Sequence, residues 1–292
     1  MNTTQTWPRP HRRPFRLGAF LSRAAIYGVL IAGAVVVMMP FAWTLSTSLK
    51  APSDIFVFPP RWIPDPIVWS NYPEALTAYP FGRWLQNTLF VVVFSTVATL
   101  ISCSMVAYSF ARLRWPGRDI LFIVLLSTMM LPEQVTLIPT FIVFRQLGWV
   151  NTFLPLIIPP LFARNAFYVF LLRQFFMTIP LDLDDAARID GAGYFAIYSR
   201  ILLPMSKPAL AIAGIMFFQF KWKEFFAPLI YLHDSEKYTI ALGLRAFQSE
   251  TWGTDWHLMM AANIVFMLPL IVIFYFAQRY FIQGIVFTGV KG

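Results

Sequence analysis

Six long apolar stretches constrain this chain more than any other feature. They lie near residues 24–46, 85–109, 119–145, 152–177, 207–232 and 258–282. The hydrocarbon core of a bilayer is about 30 Å thick and takes about 20 helical residues to cross, so each stretch is long enough to span it. Composition agrees, because 58% of the 292 residues are hydrophobic and only 13% are charged, against about a quarter charged in a water-soluble domain. The expected fold is an all-α membrane protein of six transmembrane helices, with residues 1–292 forming one transmembrane domain. A spanning helix must satisfy its own backbone in hydrocarbon. Pro132, Pro139, Pro159 and Pro160 therefore predict kinks that neighbouring helices or water support. The first apolar stretch is longer than a signal-peptide core, lacks a small-residue cleavage site and precedes five more spans, so it reads as a retained helix.

The net charge of +9 does not point to nucleic acid, because the basic residues fall at the ends of the apolar segments rather than on one polar face. Lys and Arg are retained on the cytoplasmic side. Arg9, Arg12, Arg13, Arg16 and Arg23 precede the first span, Arg112, Arg114 and Arg118 join the second and third, and Arg188, Arg200 and Lys207 join the fourth and fifth. Segments 47–84 and 233–257 balance their few basic residues with acidic ones and belong outside. Both termini are then cytoplasmic, with residues 1–23 as an N-terminal tail. Phe58, Pro59, Pro60 and Pro64 make part of segment 47–84 too proline-rich for helix, and it reads as a loop across the mouth of the bundle.

The most informative polar stretch is the inner loop 180–206. Asp182 after Pro180 is suited to capping a short helix, Asp184 and Asp185 favour its first turn through the helix dipole, and Gly191 is suited to the left-handed conformation that ends it. A second short helix runs toward Pro204, and Ser206 with Pro208 suits the start of the fifth span. The loop is expected to form a compact helical hairpin.

On this loop the chain resembles the permease subunits of binding-protein-dependent ABC importers. Those permeases carry Glu-Ala-Ala, three residues, Gly, nine residues, Ile, one residue and Leu-Pro. Here Asp185, Ala186 and Ala187 are followed at that spacing by Gly191, Ile201, Leu203 and Pro204, with Asp185 in place of the usual Glu. The resemblance covers nearly the whole chain and is closest to the carbohydrate-uptake branch, on the side of the second permease of the maltose type. Thr47 to Lys50, Pro132 to Val135, Phe170 to Gln174 and Gly289 to Gly292 add to it.

The resemblance implies a coupling helix between spans four and five, with Asp185, Ala186, Ala187, Gly191, Ile201, Leu203 and Pro204 forming the contact to an ATPase, and a tail from Thr288 to Gly292 that reaches the same partner. It further implies a second homologous permease, two ATPase subunits, an external solute-binding protein, a sugar or oligosaccharide as solute, and a bacterial cytoplasmic (inner) membrane location. No Gly-x-x-x-x-Gly-Lys-Ser/Thr stretch occurs, so ATP and Mg belong to the partner ATPase and no cofactor is expected in this chain. The single Cys103 and the scattered His11, His233 and His257 suggest neither a metal site nor a nucleophile with its base, and no enzyme chemistry is expected. A secondary transporter driven by an ion gradient is the rival class, and a membrane scaffold a third; neither requires the motif from Asp185 to Pro204.

Charge within a span is costly unless paired or hydrated, which singles out Glu133, Arg164, Lys221, Lys223 and Glu224 as candidates for the translocation path. Glu133 and Arg164 lie at similar distances from the connection between spans three and four; they either pair or face water. Lys223 stands where the resembled permeases often have Asn. Facing a cavity it would favour an anionic oligosaccharide; otherwise it snorkels to the surface or pairs with Glu224.

Overall fold

The computed structural model describes residues 17–249 and 253–289. Its long first helix, α1 (Leu17–Ser48), leads through segment 49–70 into α2 (Asn71–Thr77) and then α3 (Phe81–Arg112). Next come α4 (Arg118–Ser127), α5 (Glu133–Gln146), α6 (Leu154–Ile157), α7 (Ala166–Thr178), α8 (Asp182–Ile189), α9 (Tyr194–Ile197) and α10 (Leu203–Met205). The chain ends with α11 (Lys207–Trp222), α12 (Phe226–Tyr231), α13 (Ile240–Gly243) and α14 (Trp256–Gly289). The one extended feature among the described residues is a two-residue antiparallel ladder pairing β1 (Gln248–Ser249) with β2 (Gly253–Thr254).

Four helical segments are long and apolar enough to cross a membrane by themselves: Arg23–Ser48, Phe81–Arg112, Leu154–Thr178 and Trp256–Gln278. Two further bent pairs reach that length only together, Arg118–Met130 with Glu133–Gln146 at 98° and Tyr194–Met205 with Lys207–Trp222 at 78°. The expected continuous third span 119–145 is thus broken. Leu131 is extended (φ −79°, ψ 120°) directly before Pro132, as the clash of a proline ring with the preceding residue requires. The expected fifth span 207–232 also stops early, at Trp222, and resumes as the separate short α12. Pro228 has no N–H to give the carbonyl of Glu224, and its ring would collide with that carbonyl in a continuous helix. In the fourth span Pro159 and Pro160 tighten the chain into a 3-10 turn, Pro159–Phe162, between α6 and α7.

Helix α3 is the axis of the molecule and packs against α7, α11, α4 and α13. Its buried Cys103 and Ala107 meet Val169, Leu172 and Phe176 of α7 and Ala213 and Phe217 of α11 in the main core. Near the start of α3 a second core gathers Phe81 and Trp84 with Ile240, Phe247 and Leu258. Exposed Val, Ile, Leu and Phe side chains cover α1, α4, α5 and the described part of α14. Such a belt would be an aggregation hazard in water and is the surface a bilayer solvates. Residues 58–64 are non-helical as expected, while the short α2 was not anticipated from the proline-rich character of its segment.

Candidate functional site

Residues 182–205 fold into the expected hairpin, and its turn is built around Gly191. The Gly191 N–H donates to the Arg188 carbonyl at 3.0 Å and the Ala192 N–H to the Ala187 carbonyl at 2.9 Å, with Gly191 at φ +81°. Those two bonds and the left-handed residue between them form a Schellman ending, in which glycine avoids the steric cost of a Cβ. Asp182 does not cap α8: it is the first helical residue, Leu181 occupies the cap position, and no side chain bonds there. The chain turns straight from α7 into α8 through three residues, so the carboxylates enter the first turn itself.

The motif residues divide between two faces. Ala187 is buried, and Ile201 and Leu203 pack on the main core. Asp185, Ala186 and Pro204 face outward, Asp185 lying 3.4 Å from Arg188. Beyond α8 the tip of the hairpin is apolar and uncovered, with Ile189 86%, Phe195 70% and Tyr194 61% exposed. The segment Tyr198–Leu202 is π-helical, a wider turn often found at functional positions.

What fastens the hairpin to the bundle was not anticipated. Arg112, the last residue of α3, donates from Nη2 to the carbonyls of Phe176 and Ile179 at the end of α7, both at 2.7 Å. Its Nη1 lies 3.7 Å from Oδ2 of Asp184 in α8, the two side chains being 1% and 3% exposed. Burial pushes the Asp184 carboxyl above the usual range, and Arg112 only partly opposes this. The Tyr108 hydroxyl donates to the Tyr194 carbonyl at 3.0 Å, and Ser104 and Tyr198 share a hydroxyl bond of 2.7 Å. In the sequence Arg112 counted only toward orientation and Asp184 only toward the helix dipole. The available signal was that Asp184 and Ala187 stand three apart, on one face of a helix.

The candidate path residues form two separate groups. Arg164 reaches Glu133 at 3.8 Å, with both side chains substantially exposed. Lys221 donates to Glu224 at 2.6 Å in a partly buried pair. Of the alternatives for Lys223, pairing with Glu224 is not the one that forms; the three-residue spacing favours Lys221 instead. Lys223 is exposed and lines, with Gln219, Phe220 and Glu224, a depression of about 340 Å³ that includes neither Glu133 nor Arg164. The expected tail contact from Thr288 to Gly292 falls at the end of α14 and beyond the described residues.

Residues 101–286 match the family described as the binding-protein-dependent transport system inner membrane component. The chain is 34% identical over 258 residues to the arabinooligosaccharides transport system permease protein AraQ of Bacillus subtilis, covering 87% of this chain and 91% of that one. It is 33% identical over 270 residues to the sn-glycerol-3-phosphate transport system permease protein UgpE of Brucella abortus, covering 89% and 94%. Its structure superposes with a TM-score of 0.81 and 25% identity on a chain of a bacterial ABC transporter involved in the import of the acidic polysaccharide alginate, covering 92% of this chain and 100% of that one.

Proposed function

The chain belongs to the family of binding-protein-dependent transport system inner membrane components, multi-pass transport subunits of ABC importers and not enzymes, and from that premise we propose how this member works. Its solute is a sugar or oligosaccharide, the class named for AraQ, of an arabinooligosaccharides transport system, and for the alginate transporter. The chain forms one domain of six spans, the third made by the bent pair α4 and α5 and the fifth by α11 with α12, with both termini in the cytoplasm. A second homologous permease completes the channel, two ATPase subunits bind and hydrolyse ATP with Mg, and an external binding protein delivers the solute.

The observation that carries the coupling mechanism is the apolar, uncovered tip at Ile189, Tyr194 and Phe195 on a hairpin that is otherwise anchored in the core. A rigid knob with an exposed apolar end is suited to a cleft in another protein. Asp185 and Ala186 border that contact, Ala187, Ile201 and Leu203 seat the hairpin on the bundle, Gly191 sets its turn and Pro204 leads back toward the fifth span. Closure of the ATPase pair then moves the hairpin, and the hairpin moves the helices.

Co-purification of the tagged chain from its native membrane in mild detergent tests this reading. A second permease and an ATPase with ATP hydrolysis are the expected companions; a chain that purifies alone and transports without ATP would refute it. On the path side, Lys223 in its depression favours a solute bearing carboxylate or phosphate, in keeping with the acidic solutes named for UgpE and the alginate importer. Uptake measured with Lys223→Asn should lose its preference for acidic over neutral oligosaccharides. An unchanged preference removes Lys223 from the path.

A further inference from the structure

We infer that Arg112 and Asp184 are positioning residues that lock the α8 hairpin to α3 and α7, so that the three helices move as one body when the hairpin is pushed. The inference rests on the coupling reading above and specifies which groups transmit the motion.

The geometry is that of a three-way fastening. Arg112 belongs to α3 by its backbone, to the end of α7 by two 2.7 Å bonds to Phe176 and Ile179, and to the first turn of α8 through Asp184. Arginine suits this position because its planar fork holds several donors in fixed directions and its charge complements the carbonyl end of α7. The covalent link between α7 and α8 is only Ile179 to Leu181, a place where a helix pair would otherwise hinge.

A purely stabilising role accounts poorly for the pair. Its 3.7 Å separation is long beside the roughly 2.8 Å of a charge-assisted hydrogen bond. Arg112 Nε and Asp184 Oδ1 are buried without a hydrogen-bond partner among the described residues. A buried ion pair contributes little net stability, because the desolvation of its charges offsets their attraction, so a role in fixing geometry fits this pair better. Burial also raises the Asp184 carboxyl, so its charged form is held there at a cost.

The test uses the chain in its co-purified complex, with Cys103→Ala as background and nitroxide labels at Ile101→Cys on the exposed side of α3 and at Leu183→Cys, an exposed α8 position outside the apolar tip. Pulsed electron spin resonance gives the distance distribution without nucleotide and with ATP and vanadate. One narrow peak, unchanged between the two states, is expected. Asp184→Asn and Arg112→Lys should at least double its width while ATP hydrolysis persists, and Asp184→Glu, whose longer reach closes the gap, should restore it. A narrow peak in Asp184→Asn overturns the inference, and so does a wild-type peak that shifts between nucleotide states. The second comparison leaves Arg112 and Asp184 unchanged and so decides the matter even if their variants fail to fold. If no ATPase accompanies the chain, the coupling reading fails separately, while the peak width without nucleotide still tests the fastening.

Discussion

Replacing Gly191 separates the conformational demand of the hairpin from its contacts. A Cβ built on Gly191 meets nothing within 4 Å, so Gly191→Ala introduces no clash. Its whole cost is the left-handed backbone at φ +81°, roughly 1–2 kcal/mol for a residue with a Cβ. Gly191→Asn should cost less, because Asn tolerates that region. Gly191→Pro cannot adopt a positive φ and has no N–H for the Arg188 carbonyl, and the adjoining bond from Ala192 to Ala187 goes with the turn. Two lost hydrogen bonds at about 1 kcal/mol each, added to the conformational change, bring the cost to roughly 3 kcal/mol. That is about a hundredfold in the population of the ordered hairpin, at tenfold per 1.4 kcal/mol. The assay is the amount of ATPase retained on the tagged chain after a fixed detergent wash, with the size-exclusion profile as a check on folding. Membrane yield should match the wild type for all three variants, since the turn lies outside the spans. ATPase retention should fall in the order Gly, Asn, Ala, Pro, with little left for Pro. Full retention by Gly191→Pro, or equal loss in all three, would refute the argument.

At Gly243 the opposite holds: an added Cβ would lie within 2.5 Å of Cδ2 and Cζ3 of Trp84, a ring held by a 2.8 Å bond from Nε1 to the Ser235 carbonyl. Gly243→Ala should lower stability by about 1–3 kcal/mol through overpacking, seen as a lower melting temperature in detergent. Gly214→Ala, which meets only the flexible end of Leu100 at 3.2 Å, is the milder control. If the exposed 3.8 Å pair of Glu133 with Arg164 faces a water-filled path, Glu133→Gln should change stability by less than about 1 kcal/mol; a larger fall in melting temperature would mean that lipid or another subunit covers the pair. Asp184 holds its proton more tightly folded than unfolded, so its contribution to stability is present below the unfolded value and is lost as pH rises through the raised one. Asp184→Asn should therefore flatten the decline in melting temperature over that acid range, and an unchanged slope would show that other groups cause it.

Much of the architecture could be read from local chemistry. The apolar lengths gave four of the spans, Gly191 the end of α8, and the motif from Asp185 to Pro204 the hairpin that begins there. Where the reading erred, the error was about continuity or partners. Pro132 was expected to kink a span and instead breaks it by 98°, because the extra turn depends on what the freed backbone can pack against. Pro228 ends the fifth span at Trp222 through a clash that falls four residues before it.

The sequence by itself determined that this chain crosses a membrane several times and carries a helical hairpin from Asp185 to Pro204, since both follow from hydrophobic length and from residues close together in the chain. Only the tertiary structure decided that Arg112 joins α3, α7 and α8 through Asp184, across 64 to 72 positions. It also decided that Glu224 takes Lys221 and leaves Lys223 exposed in a depression. Span length and helix ends depend on the solvation and geometry of neighbouring residues. Which charges meet depends on how helices distant in sequence pack, and a single chain read in order carries no direct record of that.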